Sequence, residues 1–447
     1  MFKKLRIIFL FSVLLAAVLM ASGVQAQASG SVYVLTIKGT INPVLVDYVD
    51  RGIQAAEENN ASALIIQLDT PGGLDTAMRD IVKLMVNAYV SVVVYVSPSG
   101  SRAASAGVFI TMASHVAAMA PNTAIGAAHP VSIGEEGEEA MSETMEEKVL
   151  NDAAAYIRSL AESHGRNIEW AEKAVRESVS ATENEALELN VIDLIAYDLN
   201  DLLAQLDGRE VELIHGQIVT LHTAGATVID FGMTGIENFL YTIADPNIAY
   251  LLLSIATLGI MAEIFNPGLI FPGIVGGISL LLAFYSLGVL PVNYAGILLI
   301  VLAIGLFIGE VLTTTFGLFT AGGVISLVAG SLMLFKGAAP EFQINPWLIA
   351  GVCIVITAAL AFLVQRAISA HRKQAVTGRE ELVGKTALVK VALNPEGTIF
   401  YKGENWTAIS ESGKITAGEK VVIKRIDGLL LYVVKQPKEP AGKKSKR

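Results

Sequence analysis

The chain has 447 residues, 53% of them apolar and 17% charged, against about 45–50% and about 25% in ordinary soluble domains, so intrinsic disorder and collagen-like repetition are excluded. A formal charge of −10, from 32 Lys and Arg against 42 Asp and Glu, leaves no basic footprint for nucleic acid. The single cysteine, Cys353, rules out an intrachain disulfide and a Cys-based zinc site, and six scattered histidines argue against a metal cluster.

The first 28 residues carry Lys3, Lys4 and Arg6, then a short apolar core, then the small-x-small endings Val24-Gln25-Ala26 and Ala26-Gln27-Ala28. That pattern is a secretory signal, so the segment after it is expected outside the cytoplasm. From 31 to 225 the composition is that of a soluble domain. VYVLTIKG, ALIIQLDT and SVVVYVSP read as buried strands with helical patterns between them, which predicts βαβ units and a mostly parallel sheet. Helices are expected again from Met141 to Leu160 and in NIEWAEKAVRES, and Thr182-x-x-Glu185 fits a capping box.

After residue 240 come five apolar stretches, near 248–265, 269–290, 294–312, 317–335 and 347–365, each about long enough to span at roughly 20 residues per crossing. Arg366, Arg372 and Lys373 follow the last one, which places that end in the cytoplasm. A signal-led chain that starts outside needs an odd number of spans to finish there, and five satisfies that. Two acids in this region, Glu263 and Glu310, lie near span ends and are read as hydrogen-bonding or interfacial groups with no transport role. Residues 376–437 alternate short β-rich runs with turns such as Asp427-Gly428, which predicts a five-stranded OB-type barrel used for docking or regulation. The basic tail 438–447 lies beyond it.

The chemistry is concentrated in two turns. Gly100, Ala103, Ala104, Ser105, Ala106 and Gly107 follow a strand and lead into a helical pattern, the setting of a serine exposed on a strand-to-helix turn. Asp69-Thr70-Pro71-Gly72-Gly73 ends the neighbouring strand, where the N–H of Gly72 or Gly73, together with that of Ala106, would stabilise an acyl oxyanion. Either turn alone is weak evidence; the two at adjacent strand ends point to nucleophilic catalysis. A serine needs a base. Lys148, at the head of a helical stretch after the Glu-rich segment Glu135 to Glu147, serves if Val149, Leu150 and Ala153 desolvate its ammonium. Its bland reading is a solvated lysine paired with Glu147 or Asp152. His129 is the rival base, since a Ser-His-Asp triad is the commoner solution.

DTPGG, SGSRAASAG, APNTAIGAAHPV, the helix KVLNDAAAYIRSLAESHGRN and the later TENEALELNVIDLIA resemble the long form of the NfeD family, membrane-bound serine proteases of the ClpP class. The likeness extends through FNPG and TTTFGLFTAGG to the C-terminal NPEGTI module, nearly the whole chain after the signal. It implies an α/β crotonase/ClpP-like protease domain, a multi-span helical membrane region and a small all-β OB-type barrel. It maps the nucleophile onto Ser105 and the base onto Lys148. The likeness to ClpP places that protein's catalytic histidine at Ala128, so His129, one residue on in an extended strand, points to the opposite face. The family further implies a stomatin-like membrane protein as substrate and partner, apolar cleavage segments, contact with membrane lipid and a homo-oligomer of at least two chains. Neither cofactor nor metal is implied. A non-catalytic scaffold for stomatin-type assemblies is the alternative, and acyl-CoA chemistry on the same fold is a third reading that secretion disfavours.

Overall fold

The computed structural model describes residues 30–130, 143–265, 268, 270–313, 317–336, 342–372 and 382–436. The signal, the tail after 436 and most of the acidic stretch between 131 and 142 lie outside these residues. The chain divides into two compact units, one ending at Thr357 and one beginning at Ala358.

The first unit begins with β1 (Ser31–Lys38), α1 (Pro43–Glu58), β2 (Ala63–Asp69), α2 (Asp75–Val86) and β3 (Val92–Val96). There follow β4 (Arg102–Ala104), α3 (Ala106–Met112), β5 (Val116–Met119), β6 (Ala124–Gly126), α4 (Glu143–Ser163) and α5 (Ile168–Arg176). The domain continues through β7 (Ser180–Thr182), α6 (Glu183–Glu188), β8 (Leu194–Ile195), α7 (Leu199–Leu206), β9 (Glu210–Glu212), β10 (Ile218–Thr220), β11 (Thr227–Asp230) and α8 (Gly235–Ile243). Six strands form one parallel sheet in the order β11-β1-β2-β3-β5-β8.

Because successive strand residues face opposite sides, Tyr33, Leu35 and Ile37 join one core with Leu64 and Ile66, while Val32 and Val34 join the other with Ile65 and Val93. A sheet covered on both faces has no polar alternation, which is why its strands read as continuous apolar runs. A second small sheet, β4-β6-β7, is bridged to the end of β2 at Thr70 and Ala103. The capping box at Thr182 and Glu185 is formed. The run VIDLIA yields only the two-residue β8, since the Val191 and Ile192 amides turn back to the Ala186 carbonyl and close the loop after α6.

Five apolar helices follow: α9 (Pro246–Phe265), α10 (Ile270–Val289), α11 (Tyr294–Leu312), α12 (Leu318–Met333) and α13 (Pro346–Arg372). The apolar parts of the first two are long enough to cross a membrane, and those of the other three are shorter. α9 packs on α10 and α11 on α12 as two hairpins. Small residues let the first pair approach: a Cβ on Gly276 would lie 2.8 Å from the Ile260 nitrogen. Glu310 accepts from the Gly317 and Thr320 amides at 2.8 and 2.9 Å, so its carboxylate satisfies donors at the start of α12. Glu263 reaches only the Gly268 amide, at 3.5 Å, and its other oxygen is buried without a partner among the described residues.

In the second unit β12 (Thr386–Val391), β13 (Glu396–Tyr401), β14 (Glu404–Ser410), β15 (Lys420–Asp427) and β16 (Leu430–Lys435) form a closed barrel. Its order is β12-β13-β14-β16-β15, with β14 parallel to β16 and the other pairs antiparallel. That is an OB-type closure. Trp406 is half-buried at the edge of a core made by Val389, Ile399, Val421 and Val433.

Candidate active site

The site lies at the C-terminal ends of β2 and β3. After β2, the Thr70 hydroxyl donates to the Gly72 carbonyl and accepts from the Gly72 amide, both at 3.0 Å, which folds the turn back on itself. Gly72 has φ +132°, a conformation that favours glycine. Next to it, a Cβ on Gly73 would stand 2.2 Å from the Ile41 carbonyl oxygen, so a side chain there has no room. This turn is pinned to the segment after β1 by the Ile41 amide, which donates to the Gly72 carbonyl at 2.8 Å, and by the Leu74 amide, which donates to the Ile41 carbonyl at 2.9 Å.

Ser105 stands between β4 and α3 with φ 52° and ψ −114°. A non-glycine residue held at positive φ is strained, and such residues persist where the surroundings overdetermine them. Here the surroundings are identifiable: the Ser105 amide donates to the Gly126 carbonyl at 3.2 Å, and the Ala104 amide donates to the Thr70 carbonyl at 3.1 Å. The next residue, Ala106, begins α3, so its N–H is among the orphan donors of a helix start. The Gly73 amide likewise donates to no group among the described residues. The Gly72 amide is engaged by Thr70, so of the two glycine amides expected from the sequence only that of Gly73 lacks an acceptor among the described residues.

Ser105 and Lys148 line one cavity of about 420 Å³, together with Gly73, Ala106 and Ala128. Lys148 is not at the head of its helix, because α4 already begins at Glu143 and places it in the second turn. It is exposed, and so is Val149; of the expected apolar cover only Ala153 is buried, while Leu150 is half-buried. The desolvation expected from neighbouring residues is therefore incomplete in the protein by itself. Nor is the lysine paired: it has no hydrogen bond or ion pair among the described residues. Asp152, one carboxylate suggested for it, is held by Arg79 at 2.5 Å, and Arg79 also binds Asp75 at 2.8 Å. Arg79 thereby ties α2 to α4 and lies 4.6 Å from the centre of the Tyr156 ring. Burial, reinforced by the nearby Asp75 carboxylate, raises the Tyr156 phenol despite the opposing charge of Arg79.

His129 is turned away. Its Nδ1 lies 2.9 Å from the Val175 carbonyl, while Ala128 lines the cavity. Leu74, Met78 and Phe109 contribute to the apolar part of the cavity.

One residue beneath the site carried no signal on its own. Arg166 is 5% exposed and donates to the Met112 and Ser114 carbonyls at 2.7 and 2.9 Å and to Asp193 at 2.9 Å. It thus neutralises the carbonyl end of the helix that begins after Ser105. Burial lowers its guanidinium, with Asp193 opposing that effect. A buried arginine is visible in sequence only as one basic letter, in AESHGRN.

Comparison with known proteins follows this architecture. Residues 31–208 match the NfeD1b N-terminal domain, 247–366 the NfeD integral membrane domain, and 379–435 the NfeD-like C-terminal, partner-binding domain. Membrane-bound protease PH1510 of Pyrococcus horikoshii is 40% identical over 425 residues, covering 93% of this chain and 96% of that protein. Membrane protein NfeD1b of Bacillus subtilis is 25% identical over 445 residues, covering 92% and 95% respectively. Among solved structures, the 1510-N membrane protease specific for a stomatin homolog from Pyrococcus horikoshii is 37% identical, covering 49% of this chain and all of that one, with a TM-score of 0.43. With three family regions in order and a relative matched over nearly its whole length, this chain belongs to the NfeD family, as a membrane-bound protease of the serine type.

Proposed function

We propose that the chain is a membrane-anchored serine endopeptidase with a Ser105-Lys148 dyad, cleaving apolar segments of a stomatin-like membrane protein. The observation that carries this reading is the shared cavity: a strained serine, a lysine without a partner among the described residues, Gly73 and Ala106 line one space together with apolar side chains. In the reaction, Lys148 Nζ takes the Ser105 hydroxyl proton as Oγ attacks the peptide carbonyl. The Gly73 and Ala106 N–H groups hold the oxyanion, and the Gly72 turn keeps Gly73 in place. Lys148 returns its proton to the leaving amine as the C–N bond breaks, and water then hydrolyses the ester. Because Lys148 is exposed, a peptide lying in the cavity covers it and excludes water from the dyad.

The signal and the basic flank at Arg366, Arg372 and Lys373 support a protease domain outside the cytoplasm and a barrel inside, with membrane lipid around the helices. The barrel engages the partner, and the working form is an oligomer of at least two chains. The decisive experiment combines fluorophosphonate labelling with cleavage of an apolar peptide. Ser105→Ala should abolish both. Lys148→Ala should lower cleavage by about a thousandfold or more, and His129→Ala should retain most of it. An active lysine variant beside a dead histidine variant would replace the dyad, and unlabelled, inactive wild type would leave the scaffold alternative.

A further inference from the structure

Phe342 belongs to the membrane region, between α12 and α13, yet it lines the cavity that holds Ser105 and Lys148. It is only 4% exposed. It also lines an adjoining cavity of about 240 Å³ with Lys38, Gly39, Tyr241 and Pro246, so one ring is a wall common to two spaces. Its position is anchored. Three residues on, the Asn345 amide donates to Asn247 Oδ1 at 2.9 Å, near the start of α9, and Asn345 Oδ1 accepts from the Trp347 amide at 2.9 Å at the start of α13. Ile344 beside it is buried.

We propose that Phe342 is a specificity-determining residue, through which the membrane region supplies one wall of the subsite for an apolar substrate side chain. The proposal rests on the protease reading, since it takes the cavity to be where the peptide lies. Its physical basis is shape: the ring is packed into the wall and fixes how far a bound side chain reaches, beside Leu74, Met78 and Phe109. A large aliphatic side chain that fills the space up to that wall gains packing contacts; an alanine leaves a void. The membrane region is then a part of substrate choice as well as an anchor. The proteolytic domain without it lacks that wall.

The test uses the full chain in lipid nanodiscs and a fluorescent ten-residue peptide of Val, Leu and Ala, with each large residue in turn replaced by Ala. Binding is read by anisotropy in a Ser105→Ala background, and cleavage and fluorophosphonate labelling in the active chain. Phe342→Ala should weaken the peptide at least tenfold and erase the preference for a large residue at one position, with the other positions unaffected. Phe342→Leu should restore most of that preference, and labelling by the small probe should keep its rate. Unchanged discrimination in Phe342→Ala overturns the proposal, as does a loss of labelling that Phe342→Leu does not rescue. The two readings separate: discrimination that depends on Phe342 in a chain that never cleaves sinks the protease assignment alone, and cleavage indifferent to Phe342 sinks the subsite alone.

Discussion

Ser105 and Lys148 face the same cavity from supports of very different kinds. The serine stands on backbone tied to Gly126 and, through its neighbour Ala104, to Thr70, in a conformation that no isolated chain would hold. The lysine stands on the second turn of a helix whose facing residues are solvated, and its own ammonium meets no partner among the described residues. On the proposed dyad reading, the serine half is preorganised by main-chain hydrogen bonds, which cost nothing further when a substrate arrives, and the lysine half is completed by the substrate. Such a division suits the proposed reading of a protease that works beside a membrane, because Lys148 stays solvated until an apolar segment covers it.

The largest effect should come from the rigid half. Gly73→Ala drives a Cβ against the Ile41 carbonyl, displaces the amide proposed to hold the oxyanion and should lower kcat by about a hundred- to a thousandfold. Steady-state cleavage with KM measured separately checks it, and a loss confined to KM would show that the turn is not catalytic backbone.

The next test acts on the scaffold under that half. The His115 Nδ1 accepts from the Val92 amide at 3.1 Å, and burial, with His164 nearby, pulls the imidazole down to about 4. The unfolded chain takes up that proton near 6.5. The stability His115 contributes is therefore whole above about pH 6.5 and is lost as the pH falls from there to about 4, on the order of 3 kcal/mol in full. Hydrogen exchange in α3 and β5, corrected for intrinsic rates, should accelerate between pH 7 and pH 5. His115→Asn, which keeps an acceptor and does not titrate, should flatten the change. A slope that persists in this variant assigns the effect to another group.

The smallest effect should come from the lysine side. Arg79→Ala removes the contacts to Asp75 and Asp152 that tie α2 to α4. Because these charges are partly exposed, each pair is worth about 1 kcal/mol or less. Cleavage should fall by less than about fivefold. A loss as large as that of Gly73→Ala would mean that the lysine side is held as firmly as the serine side, and the contrast would collapse.

Much of the protease fold and the outline of the site were legible in the chain itself. Continuous apolar runs announced buried strands, and the sheet is covered on both faces, with Leu35, Leu64 and Val94 buried on one side and Val34, Ile65 and Val93 on the other. Gly72-Gly73 and the small residues around Ser105 marked two turns at strand ends, because close backbone approach tolerates few residue types. Tertiary structure alone decided the rest. It engaged the Gly72 amide with Thr70 and left the Gly73 amide without an acceptor among the described residues, an outcome set by one hydroxyl that has no sequence signature. It left Lys148 solvated, because burial depends on what packs against a helix and not on the letters beside it. It brought Phe342, more than two hundred residues from Ser105 along the chain, into the same cavity, and buried Arg166 under α3. Local pattern encodes backbone conformation, because propensity and periodicity act over a few residues. Which distant groups meet is set by chain closure and packing, and no local pattern carries it.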